Sequence, residues 1–367
     1  MSLLRITRCG LIFILAALLA YLFFWPVALE PVAWDAPTDA GLVDPFAVND
    51  RLAKADLVSL GPDLGPEDIA EGTDGLLYAT TSSGKILRFG KNGLAVEVFA
   101  EVGGRPLGIE FDADGNLIVA NAYIGLQSVQ PDGHVTLLVD EFKGARIGYS
   151  NDVAVANDGT IFFSDASAKF AASEFGGTYA ASLIDILEHG GNGRVFRFSP
   201  DSGDISILIS GLNFANGIAI SNDQRFLLIS ETGSYQILRY WLRGASAGTY
   251  DVLLQNLPGF PDNINNGLNG KFWVGLVAPR SALLDRLANR PSLRKLVQRL
   301  PPFMRPAAEP SSHVIAVAEN GDVLMNLQDT SARLPALTGV YESADALWLS
   351  SLFGGYAGKL AKRDLAN

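Results

Sequence analysis

Residues 257–276 have the sequence LPGFPDNINNGLNGKFWVGL. A Pro-Gly-Phe-Pro corner delivers Asp262 and Asn263 into the first turn of a strand, and residues 266–270 then turn the chain into a second apolar strand, KFWVGL. A carboxylate and an amide on a rigid corner suit a hard cation, which needs oxygen ligands held in place. Because Asp and Asn are also common in turns, the interpretation depends on whether this position recurs along the chain.

The same strand-turn-strand opening recurs from about residue 55 onward. Each unit holds short apolar strands separated by Asp, Asn and Gly turns, and the units follow one another at roughly 40–50 residues, apart from insertions. Six such units predict an all-β fold, a six-bladed β-propeller. The sixth unit is one strand short, and ADLVSL (55–60) near the start can supply that strand. A pair of β-sandwiches is the alternative, but it does not explain the recurring opening.

These units define the expected domain organisation. Residues 55–367 are predicted to form the propeller, and residues 279–311 interrupt blade 5 as a helical insertion. The insertion has Leu and Val at helical spacing with Arg and Lys between them, and prolines such as Pro291 break it. A surface decoration, a lid over the site and a membrane-surface contact all fit this pattern.

The N-terminal segment is strongly apolar. Arg5 and Arg8 precede an apolar run that ends at Trp25, and about 17 residues is the short end of a membrane span. The basic residues predict a single-pass membrane protein with a cytoplasmic N-terminus and the propeller on the other side. Residues 1–30 are therefore predicted to be a signal-anchor transmembrane helix, since the bulky FFW at its end disfavours a cleaved signal peptide. Residues 31–54, rich in Pro, Ala and Asp, are predicted to be a linker.

Composition excludes some functions. The 367-residue chain has a formal net charge of −11 and no basic stripe, which argues against nucleic-acid binding. Cys9 is the single cysteine, so an intramolecular disulfide is excluded. The oligomeric state is left open by the sequence.

The unit openings point to a common site. The first strand of each blade starts near the propeller axis, so equivalent positions in all blades converge there. Aligning GPEDIA, RPLGIE, SNDVAV, ANGIAI, PDNINN and ALTGVY places these residues at the axis: Glu67, Leu107, Asn151, Asn216, Asp262 with Asn263 beside it, and Thr338. Carboxylate and amide oxygens without cysteine favour calcium over zinc. A water-filled tunnel lined by polar groups is the alternative.

Several motifs resemble a known family. They are RPLGIEFDADGNLIVANAYIGL, NDVAVANDGTIFFSDAS, GLNFANGIAISNDQRFLLISET, RYWL and LPGFPDNI. Together they resemble the six-bladed propellers of the strictosidine synthase-like and adipocyte plasma membrane-associated protein family. More distantly, the chain is similar to the paraoxonase and gluconolactonase propellers. The resemblance covers residue 55 to the end.

The resemblance to paraoxonase implies two calcium sites. The ligands of the catalytic calcium fall on Glu67, Asn151, Asn216, Asp262 and Asn263. A second, structural calcium would use the acids that follow the first two of these ligands, Asp68 and Asp152, together with the carbonyl of Ile109.

The resemblance also implies an activity, with two departures. Paraoxonase's active-site histidine pair falls on Leu107 and Ala122, and the catalytic glutamate of strictosidine synthase falls on Thr338. The second departure disfavours a strictosidine-type condensation. The resemblance therefore implies calcium-dependent hydrolysis of a small-molecule ester or lactone. Because the histidine pair is absent, Asp262 is the candidate base and Glu67 the second candidate.

Other residues are expected to line the pocket, and a different class of function stays open. The predicted pocket residues are Leu107, Thr338, His313, Asn121 and Phe214. The alternative function is a non-catalytic, membrane-anchored binding module with a structural calcium, because propellers host many functions.

Overall fold

The computed structural model describes the backbone of residues 2–366 and the side chains of residues 10–365. Six four-stranded antiparallel sheets follow one another along this part of the chain. The innermost strand of each sheet contacts the innermost strand of the next, and the innermost strand of the last sheet contacts that of the first. The predicted all-β, six-bladed propeller is therefore confirmed.

Blades 1–5 each run outward from the axis in chain order. Blade 1 contains β2 (Ile69–Glu71), β3 (Leu77–Thr80), β4 (Lys85–Phe89) and β5 (Glu97–Glu101). Blade 2 contains β6 (Pro106–Phe111), β7 (Leu117–Asn121), β8 (Gly125–Val129) and β9 (Val135–Val139), followed by a small hairpin of β10 (Glu141–Phe142) and β11 (Ala145–Arg146). Blade 3 contains β12 (Ser150–Val155), β13 (Ile161–Asp165), β14 (Gly193–Ser199) and β15 (Asp204–Leu212). Blade 4 contains β16 (Ala215–Ile220), β17 (Phe226–Glu231), β18 (Gln236–Trp241) and β19 (Tyr250–Leu254). Blade 5 contains β20 (Gly259–Asn266), β21 (Lys271–Pro279), β22 (Ser312–Ala318) and β23 (Val323–Asp329).

Blade 6 joins the two ends of the chain. Its inner three strands are β24 (Leu337–Glu342), β25 (Ala346–Ser351) and β26 (Tyr356–Ala361), and its outermost strand is β1 (Asp56–Ser59). Val58 pairs with Ala357 in this antiparallel seam. The segment ADLVSL therefore supplies the missing strand, as its sequence predicts.

The hydrophobic core lies between neighbouring blades. Every residue of β16 and β17 is buried, because both strands are covered on both faces by adjacent sheets. Between blades 5 and 6, Trp273 and Val314 pack against Leu337 and Leu349. These contacts hold the inner strands in fixed register around the axis, which is where the candidate site lies.

Three helices lie in the loops of blades 3 and 5. The predicted insertion contains α3 (Ala282–Arg286) and α4 (Pro291–Arg299), followed by a 3-10 turn, Pro302–Met304. The loop between β13 and β14 contains a further helix, α2 (Thr178–Glu188), where the sequence analysis predicts no regular structure. Its buried face, which includes Ala181 and Asp185, packs on the propeller.

The predicted linker packs against the propeller. We call residues 31–50 the strap; they contain no helix or strand. Trp34 stacks on His189 at a ring-centroid distance of 3.9 Å. Asn256 donates to the carbonyl of Thr38 at 3.0 Å. The first part of the strap is therefore tied to a loop of blade 3 and to the loop that follows blade 4, and its last part contacts blade 5 through Asn49, whose Oδ1 accepts from the N–H of Gln328.

Arg294 joins the strap, α2 and the insertion. Its side chain is fully buried, and its guanidinium donates to the carbonyls of Val32, Leu187, Glu188 and Ala288. Four carbonyl acceptors compensate the cost of burying this charge. One side chain therefore fixes three segments that are distant in sequence.

The N-terminal prediction needs correction. The first helix, α1, spans Ser2–Phe24 and contacts α4 through Arg299, whose Nη1 donates to the carbonyl of Leu22 at 3.0 Å. Over the described residues, no helix is long and apolar enough to cross a membrane. The predicted single-pass membrane localisation, with a cytoplasmic N-terminus, is contradicted by this finding. The side chains of Arg5, Arg8 and Cys9 lie outside the described residues.

Candidate functional site

The inner strand of each of blades 2–6 contains a β-bulge at the predicted axial position. The pairing with the second strand shifts between Pro106 and Ile109, Ser150 and Val153, Ala215 and Ile218, Pro261 and Ile264, and Leu337 and Val340. A bulge adds one residue and re-aims side chains. Each bulge contains the axial residue and the one after it, which explains how Asp262 and Asn263 both make contacts across the axis.

The residues predicted to hold a catalytic calcium stand at the openings of the inner strands, and four of them are joined by hydrogen bonds. We call them the axial ring; all are buried, and they are Glu67, Asn151, Asn216, Asp262 and Asn263. Nδ2 of Asn263 donates to the carbonyl and to Oε1 of Glu67, each at 3.2 Å. Nδ2 of Asn216 donates to Oδ1 of Asp262 at 2.5 Å. These contacts cross from blade 5 to blade 1 and from blade 4 to blade 5.

Four oxygens of the axial ring lack a hydrogen-bond donor. They are Oε2 of Glu67 and the Oδ1 atoms of Asn151, Asn216 and Asn263, and all four are buried. Leaving a buried acceptor unsatisfied costs about 1–3 kcal/mol. Four such acceptors from blades 1, 3, 4 and 5 fit a hard cation, because calcium binds carboxylate and amide oxygens. The residues present therefore fit the ion that the family resemblance implies.

The pKa values of both carboxylates in the ring are raised. Burial raises the pKa of Glu67 well above its usual value, and the charges of Asp262, Asp68 and Asp152 raise it further. Burial raises the pKa of Asp262 to about 7, against the opposing hydrogen bond from Asn216. A cation at this point would favour the ionised forms. Within the described residues, no group of three His, Cys, Asp or Glu side chains is arranged to hold a metal, since the ring contains two carboxylates and otherwise amides.

The residues predicted for a second calcium are engaged in other contacts. Oδ2 of Asp68 accepts a hydrogen bond from the backbone N–H of Ile109 at 3.0 Å, so Ile109 presents its amide rather than its carbonyl to this acid. Oδ1 of Asp68 accepts from Ile69 and Asn265. The two oxygens of Asp152 accept from the amides of Val153 and Ile218. These carboxylates fit a second ion poorly, because amide donors already occupy their oxygens.

The same contacts explain why the residue type after the axial position alternates from blade to blade. The position after the axial residue is acidic or an amide in blades 1, 3 and 5, and it is glycine in blades 2, 4 and 6. A Cβ on Gly108 would collide with Asp152, and one on Gly339 would collide with Asn265. The backbone N–H groups of Ile218 and Val340 then donate to Asp152 and Asn265 of the preceding blades. The small residues admit the side chains that join neighbouring blades.

Three predicted pocket residues lie next to the ring or above it. Thr338 donates its hydroxyl to the carbonyl of Glu67 at 2.5 Å, so it joins blade 6 to blade 1 and fixes Glu67. Leu107 and Phe214 belong to one buried cluster beneath α2, together with Tyr149 and Ala122. Leu107 and Ala122 are apolar and buried, so the two positions that correspond to the histidine pair of paraoxonase hold no proton-transfer group.

Two other predicted pocket residues have different surroundings. Asn121 lies at the end of β7, where Oδ1 accepts from the amides of Arg105 and Tyr123. His313 contacts Asn326 at 2.8 Å, on the outer strand of blade 5. It lines a separate cavity of about 410 Å³ between the strap and blade 5. The structure does not bring His313 together with the axial ring.

Arg105 and Tyr149 are site residues that the sequence analysis misses. Arg105 stands two residues before Leu107, and Tyr149 stands two residues before Asn151. The charges of both Glu67 and Arg105 act on the Tyr149 hydroxyl, whose pKa is raised chiefly by burial. Counting back two positions from each axial residue would have found them, because alternate residues of a strand share a face.

The sequence of the chain is similar to that of several known proteins. The family model described as strictosidine synthase matches residues 151–245, and the one described as strictosidine synthase-like, N-terminal, matches residues 44–89. Protein STRICTOSIDINE SYNTHASE-LIKE 10 of Arabidopsis thaliana is 33% identical over 356 residues, covering 88% of this chain and 93% of the relative. Adipocyte plasma membrane-associated protein of Danio rerio is 30% identical over 385 residues, covering 97% and 90%.

Solved structures share the fold at lower identity. A gluconolactonase from Xanthomonas campestris has a TM-score of 0.62 and 20% identity, covering 90% of this chain and 98% of that one. The calcium-binding protein regucalcin from Agrobacterium tumefaciens has a TM-score of 0.57 and 13% identity, covering 83% and 92%. At these identities the likeness shows the propeller fold alone.

Proposed function

The chain belongs to the strictosidine synthase-like family, and from that premise we propose that it is a calcium-dependent hydrolase of small esters or lactones. The observation that carries this proposal is the set of four buried, donor-free oxygens in the axial ring. A fold neighbour named gluconolactonase supports a lactone among the substrates to be tested.

The five residues of the axial ring would hold the ion. Their oxygens come from four blades, so the propeller would hold them in place before the ion arrives. A bound calcium ion would supply Lewis-acid polarisation of the substrate carbonyl. No sulfur or imidazole belongs to the ring, which agrees with a hard ion.

Asp262 is the residue we assign to accept a proton from the attacking water. Its Oδ1 is engaged by Asn216, so its Oδ2 is the atom left for the water. Glu67 is the second candidate, because its Oε1 accepts from Asn263 while its Oε2 has no donor. Tyr149 and Phe214, in edge-to-face contact with a ring-centroid distance of 5.2 Å, would exclude bulk water on one side.

A strictosidine-type condensation is not supported. At the position of that enzyme's catalytic glutamate, Thr338 has a hydroxyl that bonds the carbonyl of Glu67 and the hydroxyl of Ser350. Such a group cannot act as a strong base. Leu107 and Ala122, at the positions of the histidine pair, are also buried and apolar, so they offer no base. This absence favours one second candidate function, a non-catalytic binding module with a structural calcium.

The test measures hydrolysis by the purified full chain. Phenyl acetate and a panel of γ- and δ-lactones are assayed with calcium and with chelator, for the wild type and Asp262→Asn. Calcium-dependent activity that falls at least about 100-fold in the variant would support the hydrolase, since a general base contributes about that factor. A buried acid of the outer strand in the same blade provides the control, Asp329→Asn, which should keep its response to calcium.

Two outcomes would contradict the proposal in different ways. Thermal stabilisation by calcium without hydrolysis of any substrate would favour the binding module. If calcium changed neither stability nor activity, the metal site itself would be refuted.

A further inference from the structure

Arg105 carries a buried charge, and one nitrogen of its guanidinium lacks an acceptor among the described residues. The residue is 6% exposed, and its Nη1 has no hydrogen-bond acceptor among the described residues. A buried guanidinium nitrogen without an acceptor is costly, because buried charged groups are normally hydrogen-bonded. The position is therefore incomplete without an acceptor that this part of the chain does not supply.

The backbone of Arg105 is held firmly. Its N–H donates to Oδ1 of Asn121 at 2.9 Å, and its carbonyl accepts from the N–H of Ala122 at 2.9 Å. Nδ2 of Asn121 donates to the carbonyl of Gly103 and to Gln127. Both backbone groups of Arg105 are thus bonded to the end of β7, which gives the guanidinium a fixed base.

Arg105 belongs to a layer of equivalent positions that precede the axial ring along the chain in each blade. The layer consists of the residues two positions before each axial residue: Gly65, Arg105, Tyr149, Phe214, Phe260 and Ala336. Three of these positions are aromatic and two are small, and the small ones lie in the adjacent blades 6 and 1. Arg105, in blade 2, is the one charged member, and it lies close enough to Glu67 of the axial ring for the two charges to interact.

We propose that Arg105 binds a carboxylate of the substrate, so that the preferred ester or lactone carries an anionic oxygen group on its acyl side. This specificity rests on the proposed hydrolase function. A guanidinium offers paired donors that match the two oxygens of a carboxylate. Such a group would satisfy Nη1 while the reacting carbonyl lies lower, at the axial ring.

The kinetic test uses two esters of equal length. They are 4-nitrophenyl hydrogen glutarate, with a free carboxylate, and 4-nitrophenyl pentanoate, with a methyl group in its place. The wild-type full chain with calcium should prefer the glutarate ester in kcat/KM. In Arg105→Met this preference should fall by about 10- to 100-fold, mostly through KM, as expected for one lost hydrogen bond between charged groups.

Two further variants test whether the preference depends on the geometry of the guanidinium and on its position. Arg105→Lys keeps the charge but loses the paired geometry, so it should restore part of the preference. Arg88, a half-exposed arginine paired with Glu97 on blade 1, provides the control: Arg88→Met should leave the preference unchanged. An unchanged preference in Arg105→Met, in protein that melts cooperatively, would overturn the proposal.

A binding measurement separates this proposal from the hydrolase function. Glutarate and its neutral diamide are titrated into calcium-loaded protein by calorimetry. Binding of glutarate by the wild type, lost in Arg105→Met and absent for the diamide, would support the anion site even if neither ester is hydrolysed, in which case the hydrolase function fails. Hydrolysis of both esters without Arg105-dependent glutarate binding would overturn the anion site and leave the hydrolase standing.

Discussion

Nδ2 of Asn216 lies 2.5 Å from Oδ1 of Asp262, and this contact decides which atom of each residue remains free. The amide nitrogen of Asn216 faces the acid, so its oxygen is the atom left buried without a donor. Asp262 keeps its second oxygen. The pair therefore presents two oxygens to the axis and joins blades 4 and 5.

Removing this amide should weaken calcium binding. In Asn216→Ala the ring loses one oxygen ligand, and Asp262 loses its hydrogen bond. We expect the calcium affinity measured by calorimetry to fall at least about 10-fold, or about 1.4 kcal/mol. Asn266 provides the matched control, because it also joins blades 4 and 5, through the carbonyl of Ile220, but lies outside the ring. Equal affinities in the wild type and Asn216→Ala would remove Asn216 from the site.

The count of bound ions tests the second predicted calcium. Because backbone amides occupy the oxygens of Asp68 and Asp152, we expect one calcium per chain by elemental analysis. Asp152→Asn should keep that count and lower the free energy of unfolding by about 1–3 kcal/mol, since an NH₂ group would face an amide N–H. Two ions in the wild type and one in the variant would restore the second site.

Asn121 should act on specificity through Arg105. In Asn121→Ala the backbone N–H of Arg105 loses its acceptor, so the preference for 4-nitrophenyl hydrogen glutarate over the pentanoate should fall, with KM changing more than kcat. The control is Gln127→Ala, which removes a partner of Asn121 but no contact of Arg105. If both variants change kcat and leave the preference intact, Asn121 has no positioning role.

Asp185 gives a pH dependence of stability. Burial raises the pKa of this carboxyl, on the inner face of α2, to about 6, against hydrogen bonds from Ser167 and Asn192. The folded state therefore holds a proton that the unfolded state releases above about pH 4, so this contribution to stability is present at low pH and is lost as the pH rises to about 6.

Asp185→Asn should remove this dependence. The amide keeps Oδ1 for both donors and carries no charge, so above pH 6 the variant should gain about 1–2 kcal/mol relative to the wild type, compared with pH 4. Melting temperatures of both proteins between pH 4 and 7 measure the difference. Parallel curves would contradict this assignment.

Arg294 should control the attachment of the strap. In Arg294→Met four carbonyls from three segments lose their donor, and each buried unsatisfied carbonyl costs about 1–3 kcal/mol. We expect limited proteolysis to cut first near residues 31–50. Arg290→Met, on the same insertion, is the control, and equal cleavage in both variants would refute the role.

The sequence was sufficient for the propeller, and it gave the candidate site at the openings of the inner strands as a prediction. The recurring strand-turn-strand opening repeats in every blade, so one error in a single unit does not change the count. The position of Asp262 could be transferred to Glu67, Asn151 and Asn216 for the same reason. The sixth unit lacks one strand, and residues 55–60 form an extra strand before the first unit. The sequence therefore predicted that β1 closes the ring.

What the sequence did not predict depends on contacts between distant segments. Residues 178–188 lie in a long interruption of blade 3, where no repeat indicates a helix. The orientation of Ile109 depends on a bulge, which changes whether an amide or a carbonyl faces Asp68. Arg105 can be located by counting back from the axial position, but its missing acceptor is visible only in the structure.

The seam between β1 and β26 has a consequence for biosynthesis. Val58 pairs with Ala357, so the N-terminal partner leaves the ribosome about 300 residues before its counterpart. During that interval the edge of β1 has unpaired amides and carbonyls, which other strands in the cell could recruit. At about 5–20 residues per second, the wait lasts on the order of 15–60 seconds. The ring is thus assembled in the order of translation, and its last blade converts a growing chain with an open edge into a closed one.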